Sequence, residues 1–325
     1  MDTKSKIIAI DTGNRYMKTE HYSFTSGLVS HGSTPPAVST VDTIKHNGQY
    51  YSLTAAREPY RRDKSVDEHY KVLSMAAIAK ELLHDNPNCG PAVSKNVTLA
   101  LGLPIAHLQK MRETYAAYFK GENGAMDFEF NGIKFHIIID EVQVWPQGYA
   151  AAIVDKESFS EASNSERAYI IDIGGYTTDV SMLSNGRADM SYCESINMGV
   201  IHLLNRVKAA VQEECGVEID DIAAESLLKD GIAAKSNPTL VAVVQKTRKE
   251  YTDTLIRTLR EKGIDFVTSY LIFMGGGSMM MESDIRAAVH HQMLHFIPSI
   301  NANATGYAAL TSALQRRSAS AAQQE

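Results

Sequence analysis

One pattern constrains this chain more than any other: an apolar strand that stops at an aspartate and a glycine occurs once in each half. Ile7 to Ile10 is a short branched run ending at Asp11-Thr12-Gly13, and Tyr169-Ile170-Ile171 repeats it before Asp172-Ile173-Gly174-Gly175. Short apolar runs bounded by turn residues read as buried strands. A third run, Phe266 to Met274, ends at Gly275-Gly276-Gly277. With 325 residues, the chain exceeds the roughly 250 to 300 that one hydrophobic core usually supports. The expectation is a duplicated α/β unit in two lobes.

A strand ending in Asp-x-Gly puts a carboxylate and backbone N–H groups where the chain reverses. Such a turn can hold phosphate oxygens on its amides while the carboxylate orients a hydrated cation. Taken alone, Asp11-Thr12-Gly13-Asn14 is equally an ordinary tight turn, and Lys18 beyond it is either solvated or directed at the same phosphates. The second turn, Asp172 to Asp179, carries more glycine, which lets another backbone approach closely. Two facing phosphate turns can enclose one nucleotide.

Between these points strand and helix patterns alternate, as a layered α/β domain requires. Tyr16 to Phe24 reads as a returning strand, and Asn47-Gly48 and Asn131-Gly132 as hairpin turns. Helices are predicted over Glu68 to Leu83, Ala106 to Phe119, Gly199 to Glu214, Asp220 to Lys229 and Pro238 to Lys262, and a strand over Asn96 to Leu103. The polar, Ser-rich stretch from Ser158 to Arg167 is the expected crossing between lobes, and the tail after Gln315 is expected to fray.

The formal net charge of -6 gives no basic field for a nucleic-acid backbone, so direct nucleic-acid binding is not expected. No stretch reaches the length of uninterrupted apolar residues that a bilayer demands, so no membrane partner is expected and the location is read as cytoplasmic. Cys89, Cys193 and Cys215 lie far apart, outside metal-site or disulfide spacing, and read as reduced thiols.

On these segments the chain resembles the actin, sugar-kinase and heat-shock-chaperone superfamily. IAIDTGNRYMKT and IIDIGGYTTDVSML stand as its two phosphate segments and IFMGGGSMMM as its adenosine segment. VWPQGYAAAI and NANATGYAAL are similar to its two connecting segments. Within the superfamily, VWPQGYAA and DIGGYTTDV most resemble the ParM-like plasmid-segregation proteins. The implied fold is an α/β, actin-like (ribonuclease H-like) pair of duplicated domains with a nucleotide cleft between two lobes. The first lobe would span 1–157, with 27–70 as an outer subdomain and a C-terminal helix, 305–316, packing back on it. The second would span 158–304, with 200–265 as its outer subdomain.

The resemblance also implies roles. Asp11 and Asp172 would hold Mg²⁺ through water. Gly13, Asn14, Gly174, Gly175, Tyr176 and Thr177 would line the phosphates, Lys18 would neutralise their charge, and Gly275, Gly276 and Gly277 would pass beneath the adenosine. Gly199 either approaches the ribose or simply starts a helix. Gln147 falls where the superfamily places the residue that orients the attacking water. An amide can position water but cannot take its proton, so hydrolysis would rest on positioning and metal electrostatics.

The implied function is a filament-forming ATPase that uses ATP, with GTP the alternative, in plasmid DNA segregation. Its partners would be other copies of itself and a DNA-binding adaptor on a centromere-like site. The alternatives are another bacterial actin of cell shape or division, or a small-molecule kinase of the same fold, which Gln147 in place of an aspartate disfavours. Other clusters receive plainer readings. Met279-Met280-Met281 is packing beside the nucleotide strand. His290, His291 and His295 are surface or interface histidines of an amphipathic helix, and Arg61-Arg62 with Lys64 is a solvated charged turn, in an outer region that the resemblance implies meets the next subunit.

Overall fold

The structure is a computed structural model that describes residues 5–36, 41–56, 58–230, 237–290 and 293–322. The chain divides into two compact units, Met1–Val154 with Asn301–Glu325, and Asp155–Ile300.

The first unit begins with β1 (Lys6–Thr12), β2 (Tyr16–Lys18), β3 (Ser23–Thr25), β4 (Gly27–Gly32), β5 (Thr43–His46) and β6 (Gln49–Thr54). It continues with α1 (His69–Asp85), β7 (Ala92–Leu103), α2 (Ile105–Lys120), β8 (Ala125–Phe130), β9 (Ile133–Pro146) and α3 (Tyr149–Val154). Its strands form one sheet in the order β3-β2-β1-β7-β9-β8-β5-β6-β4. β1, β7 and β9 run parallel at its centre, with Ile10 beside Leu101 in register. The two Asn-Gly turns are as expected: Asn47 (φ 49°) and Gly48 (φ 75°) join β5 to β6, and Asn131 (φ 50°) and Gly132 (φ 82°) join β8 to β9. Positive φ at both central residues matches the right-handed twist of the strands they connect. The returning strand expected over Tyr16 to Phe24 is two short ones, because the chain turns where Thr19 N–H donates to the Tyr22 carbonyl (2.8 Å).

The second unit contains α4 (Lys156–Asn164), β10 (Arg167–Ile173), β11 (Thr178–Ser184), β12 (Arg187–Ile196), α5 (Val200–Cys215), α6 (Asp221–Asp230) and α7 (Pro238–Glu261). β13 (Tyr270–Met274), α8 (Gly275–Ala288) and β14 (Leu294–Phe296) complete it. The sheet order is β12-β11-β10-β13-β14. α7 starts as its sequence dictates: Pro238 holds the first helical position and the Asn237 side chain accepts from Thr239 N–H at 2.9 Å, the capping arrangement that satisfies an otherwise orphaned donor. Leu203, Leu204 and Val207 of α5 pack with Tyr251, Leu255 and Leu259 of α7 in a core that includes Met280 and Met281 of α8, so these two methionines of the run are packing residues.

The chain then returns to the first unit as α9 (Ala302–Ala322). Ala150 of α3 and Ala304, Tyr307 and Ala308 of α9 pack with Ala9 and Ala100, so the two small-residue connecting segments meet. A Cβ on Gly306 would overlap the Ala150 carbonyl, and one on Gly102 would overlap the Tyr307 ring. Gly148 N–H donates to Asn303 Oδ1 at 2.9 Å, and Trp145 Nε1–H to Thr311 Oγ1 at 2.8 Å.

Four other expectations are corrected. Most of the stretch from Ser158 to Arg167 is helix α4 rather than an irregular crossing, and the unit boundary falls at Val154 and Asp155. The tail does not fray at Gln315: α9 runs to Ala322, and Gln315 Nε2–H donates to Thr98 Oγ1 at 3.2 Å. The strand before the triple glycine starts at Tyr270, because Asp265 accepts from the amides of Val267 and Thr268 and makes residues 265–268 a turn. His290 and His295 share no helix: α8 ends at Ala288 and His295 lies in β14, while His291 is outside the described residues.

Candidate functional site

In the first unit the site is built on the end of β1. Asp11 is only 2% exposed, and a carboxylate so buried is costly unless both oxygens have partners. Lys18 Nζ lies 3.2 Å from Oδ2. Gln147 Nε2–H donates to Oδ1 at 3.0 Å. Lys18 is delivered by the pairing of β2 with β1, which sets its Cα opposite that of Asp11. Gln147 is delivered from the end of β9, where its own N–H is fixed to the Leu103 carbonyl at 2.9 Å.

The turn after Asp11 is tight. A Cβ on Gly13 would lie 2.5 Å from the Tyr16 carbonyl oxygen, so glycine is needed there. Behind it, Thr12 Oγ1 is 2.5 Å from the Tyr115 hydroxyl of α2, and burial pushes that phenol far up, so it stays protonated. Asn14 Oδ1 accepts from Arg61 N–H (3.0 Å) and from the Tyr70 hydroxyl (3.2 Å). Lys64 Nζ donates to the Thr12 carbonyl. The charged turn expected to be solvated is therefore seated on the Asp11 turn. Tyr70 and Tyr115 were missed because they arrive from α1 and α2 with no local motif to mark them, and Arg61 and Lys64 were read only as a charged turn.

In the second unit Asp172 lies at the end of β10, in register between Asp179 of β11 and Met274 of β13. Gly174 N–H donates to the Thr177 carbonyl at 2.9 Å and closes the glycine turn. Thr177 Oγ1–H donates to Asp179 Oδ2 at 3.0 Å, and Ser195 Oγ–H to Oδ1 at 2.5 Å. Asp179 thus supports the turn, a role that its place in DIGGYTTD could have signalled.

Gly199 caps α5 and sits directly on that turn. A Cβ there would be 2.5 Å from the Gly175 carbonyl oxygen, while Val200 and Ile201 N–H donate to the Gly174 and Gly175 carbonyls at 3.0 and 2.8 Å. The packing of two backbones accounts for this glycine, and the Tyr251 hydroxyl fixes its carbonyl from α7 at 2.9 Å. Gly275, Gly276 and Gly277 are the first residues of α8. Gly275 has φ +84°, and a Cβ on it would overlap Asp172 Oδ1, whereas one on Gly277 would overlap Ile173. Gly276 alone of the three opens to space, with nothing within 4 Å of its Cβ position.

The sequence model described as the N-terminal domain of actin-like proteins matches residues 9–149. That of the C-terminal domain of archaeal MreB-like actin homologues matches residues 170–287. The chain belongs to the actin superfamily. Among solved structures, this actin-like chain is similar to the archaeal actin homologue Ta0583, with TM-score 0.74, 16% identity, and coverage of 94% of this chain and 99% of that one. It is also similar to a ParM from a 15-stranded Clostridium botulinum filament, with TM-score 0.69, 20% identity, and coverage of 94% and 99%. A third likeness is to apo pSK41 ParM, with TM-score 0.68, 16% identity, and coverage of 96% and 98%. No curated protein sequence matches the actin-like chain. These likenesses show a ParM-like, two-lobe actin fold. Among the described residues, no helix is long and apolar enough to cross a membrane.

Proposed function

We propose that the chain is a nucleotide-dependent, filament-forming ATPase that acts in the cytoplasm in plasmid DNA segregation. The observation that carries the reading is the Asp11 turn, where a buried carboxylate is held between Lys18 and Gln147. This donor set fits a hydrated Mg²⁺ with phosphates. Mg²⁺ keeps most of its waters and needs one or two carboxylates, while Lys18 stands beside Asp11 to balance phosphate charge. The open space at Gly276 suits the flat face of an adenosine. When bound, Mg²⁺ would neutralise charge developing on the transferred phosphate.

The side chains supply positioning. By taking Gln147 Nε2–H, Asp11 leaves the amide oxygen of Gln147 to act as the acceptor for a water proton. Asp172 serves the second turn as Asp11 serves the first, and Gly13, Asn14, Gly174, Gly175, Tyr176 and Thr177 offer backbone and side-chain contacts to phosphate. Gly199, packed on the glycine turn, would approach the ribose from the start of α5. Support also comes from similar proteins whose structures hold nucleotide, Ta0583 with ADP and Bacillus thuringiensis ParM with AMPPNP, and from the Clostridium botulinum filament. A DNA-binding adaptor would link the filament to plasmid DNA, consistent with a net charge of -6 that favours no direct contact.

The test is sedimentation and light scattering with Mg²⁺ and ATP, ADP or a non-hydrolysable ATP analogue over rising protein concentration, with phosphate release in parallel. A filament former shows a critical concentration that is lower with ATP. A chain that stays small in every nucleotide, and consumes ATP only with a small-molecule acceptor, is instead a kinase of the same fold.

A further inference from the structure

β1 outruns its ladder. Its registered pairs with β7 go from Lys6–Val97 to Ile10–Leu101, so Asp11 and Thr12 lie beyond them and are paired on the other side with β2, a strand of three residues. Successive side chains of a strand point to opposite faces. The Asp11 carboxylate meets Lys18 and Gln147 on one, and the Thr12 hydroxyl meets the Tyr115 hydroxyl of α2, 2.5 Å away, on the other. Both residues are buried. Within α2 the buried residues are Ile105, Tyr115 and Phe119. One turn after Tyr115 the same core takes a phenylalanine, whose ring meets that of Tyr115 edge-on at 4.9 Å, so apolar packing alone would be served by phenylalanine at 115 as well. A buried phenol hydroxyl is costly without a partner. Thr12 is the partner.

We propose that Tyr115 is a positioning residue for ATP hydrolysis: through the Thr12 hydroxyl it fixes the end of β1 from the face opposite the Asp11 carboxylate, and so sets where Asp11 and the amide of Gln147 stand. The proposal rests on the ATPase reading above and adds to it a residue outside both phosphate segments. Tyr115 acts only through Thr12. Because Asp11 Oδ1 accepts from Gln147 Nε2–H, a strand end free to shift carries the amide with it. Misplacing a reacting group by about 1 Å can cost about a hundredfold in rate. That loss falls on the transition state, so affinity for the nucleotide changes little.

The test is steady-state phosphate release by the full chain at saturating Mg²⁺–ATP and one protein concentration, with equilibrium nucleotide binding and thermal unfolding in parallel. The variants are Tyr115→Phe, Thr12→Ser and the double variant Tyr115→Phe with Thr12→Val. Tyr115→Phe should lower kcat by about tenfold and change nucleotide Kd by less than about threefold. It also strands the Thr12 hydroxyl, so its melting temperature should fall. The double variant, with both hydroxyls replaced by apolar groups of similar shape, should regain that temperature but not the rate. Thr12→Ser keeps the hydroxyl and should keep kcat within about threefold of wild type. If Tyr115→Phe turns over at the wild-type rate, if the double variant regains its rate along with its melting temperature, or if Thr12→Ser is as slow as Tyr115→Phe, the hydroxyl pair only stabilises the fold and the proposal falls while the ATPase reading stands. If wild type hydrolyses no ATP, both fall.

Discussion

Gln147 and Asp11, 136 residues apart in the chain, share a hydrogen bond of 3.0 Å from amide to carboxylate. Each fixes the other. The buried carboxylate gains a partner for Oδ1, and the amide keeps its oxygen and its second N–H for a partner elsewhere.

From that pairing, Gln147→Ala should slow ATP turnover by at least about tenfold while changing nucleotide affinity little, because a water-positioning group acts mainly in the transition state. Steady-state phosphate release alongside equilibrium binding checks it. Unchanged turnover with weakened binding would assign Gln147 to ground-state binding instead.

Asp172→Ala should abolish Mg²⁺-dependent hydrolysis and leave the far-ultraviolet circular dichroism spectrum unchanged, since the β10 ladder depends on backbone pairing with β11 and β13. Hydrolysis at the wild-type rate would remove this turn from the site.

Two neighbouring glycines should behave oppositely. Gly275→Ala meets a φ of +84° and the Asp172 carboxylate, so it should lower the melting temperature, by the equivalent of ~1–3 kcal/mol. Gly276→Ala meets nothing within 4 Å and should not lower the melting temperature while weakening ATP binding. Wild-type affinity in Gly276→Ala would move the adenosine elsewhere.

Alanine usually stabilises a helix over glycine by ~1 kcal/mol, yet Gly306→Ala in α9 should do the reverse, because its Cβ would overlap the Ala150 carbonyl and overpacking costs ~1–3 kcal/mol. Thermal unfolding decides the sign.

Glu20 provides a pH test. Burial, and then the neighbouring carboxylate of Glu81, hold its carboxyl above the ordinary range. A raised carboxyl favours the folded state while protonated, and that contribution is lost as pH rises through the raised value. Glu20→Gln should therefore melt above wild type at about pH 7, with the gap closing towards about pH 4. Equal melting at both pH values would show that the side chain relaxes into water.

Much of this arrangement was legible because it is local. Asp11, Gly13, Asp172 and Gly174 lie at strand ends that apolar runs and glycines mark directly, and Asn47-Gly48 and Asn131-Gly132 define their own turns. The misses are of two kinds. Polar composition misled where helical packing decides: α4 is a helix despite its serines, and α9 continues past Gln315 because that residue bonds back to Thr98. The rest depended on distance in sequence. That Lys64 rests on Thr12, or that Tyr115 backs it, follows from how α1, α2 and their loops pack on β1, and no spacing within the chain announces it.

The return of α9 to the first unit bears on how the protein is made. Residues 155–300 form a contiguous unit and can fold as soon as they leave the ribosome, whereas the unit synthesised first still lacks the helix that covers Ala9 and Ala100. The usual order, in which the earlier-made domain is finished first, is reversed: the strand of Asp11 is made before residues 155–300 and the layer packed over it only after them, so in between Ala9 and Ala100 stand uncovered.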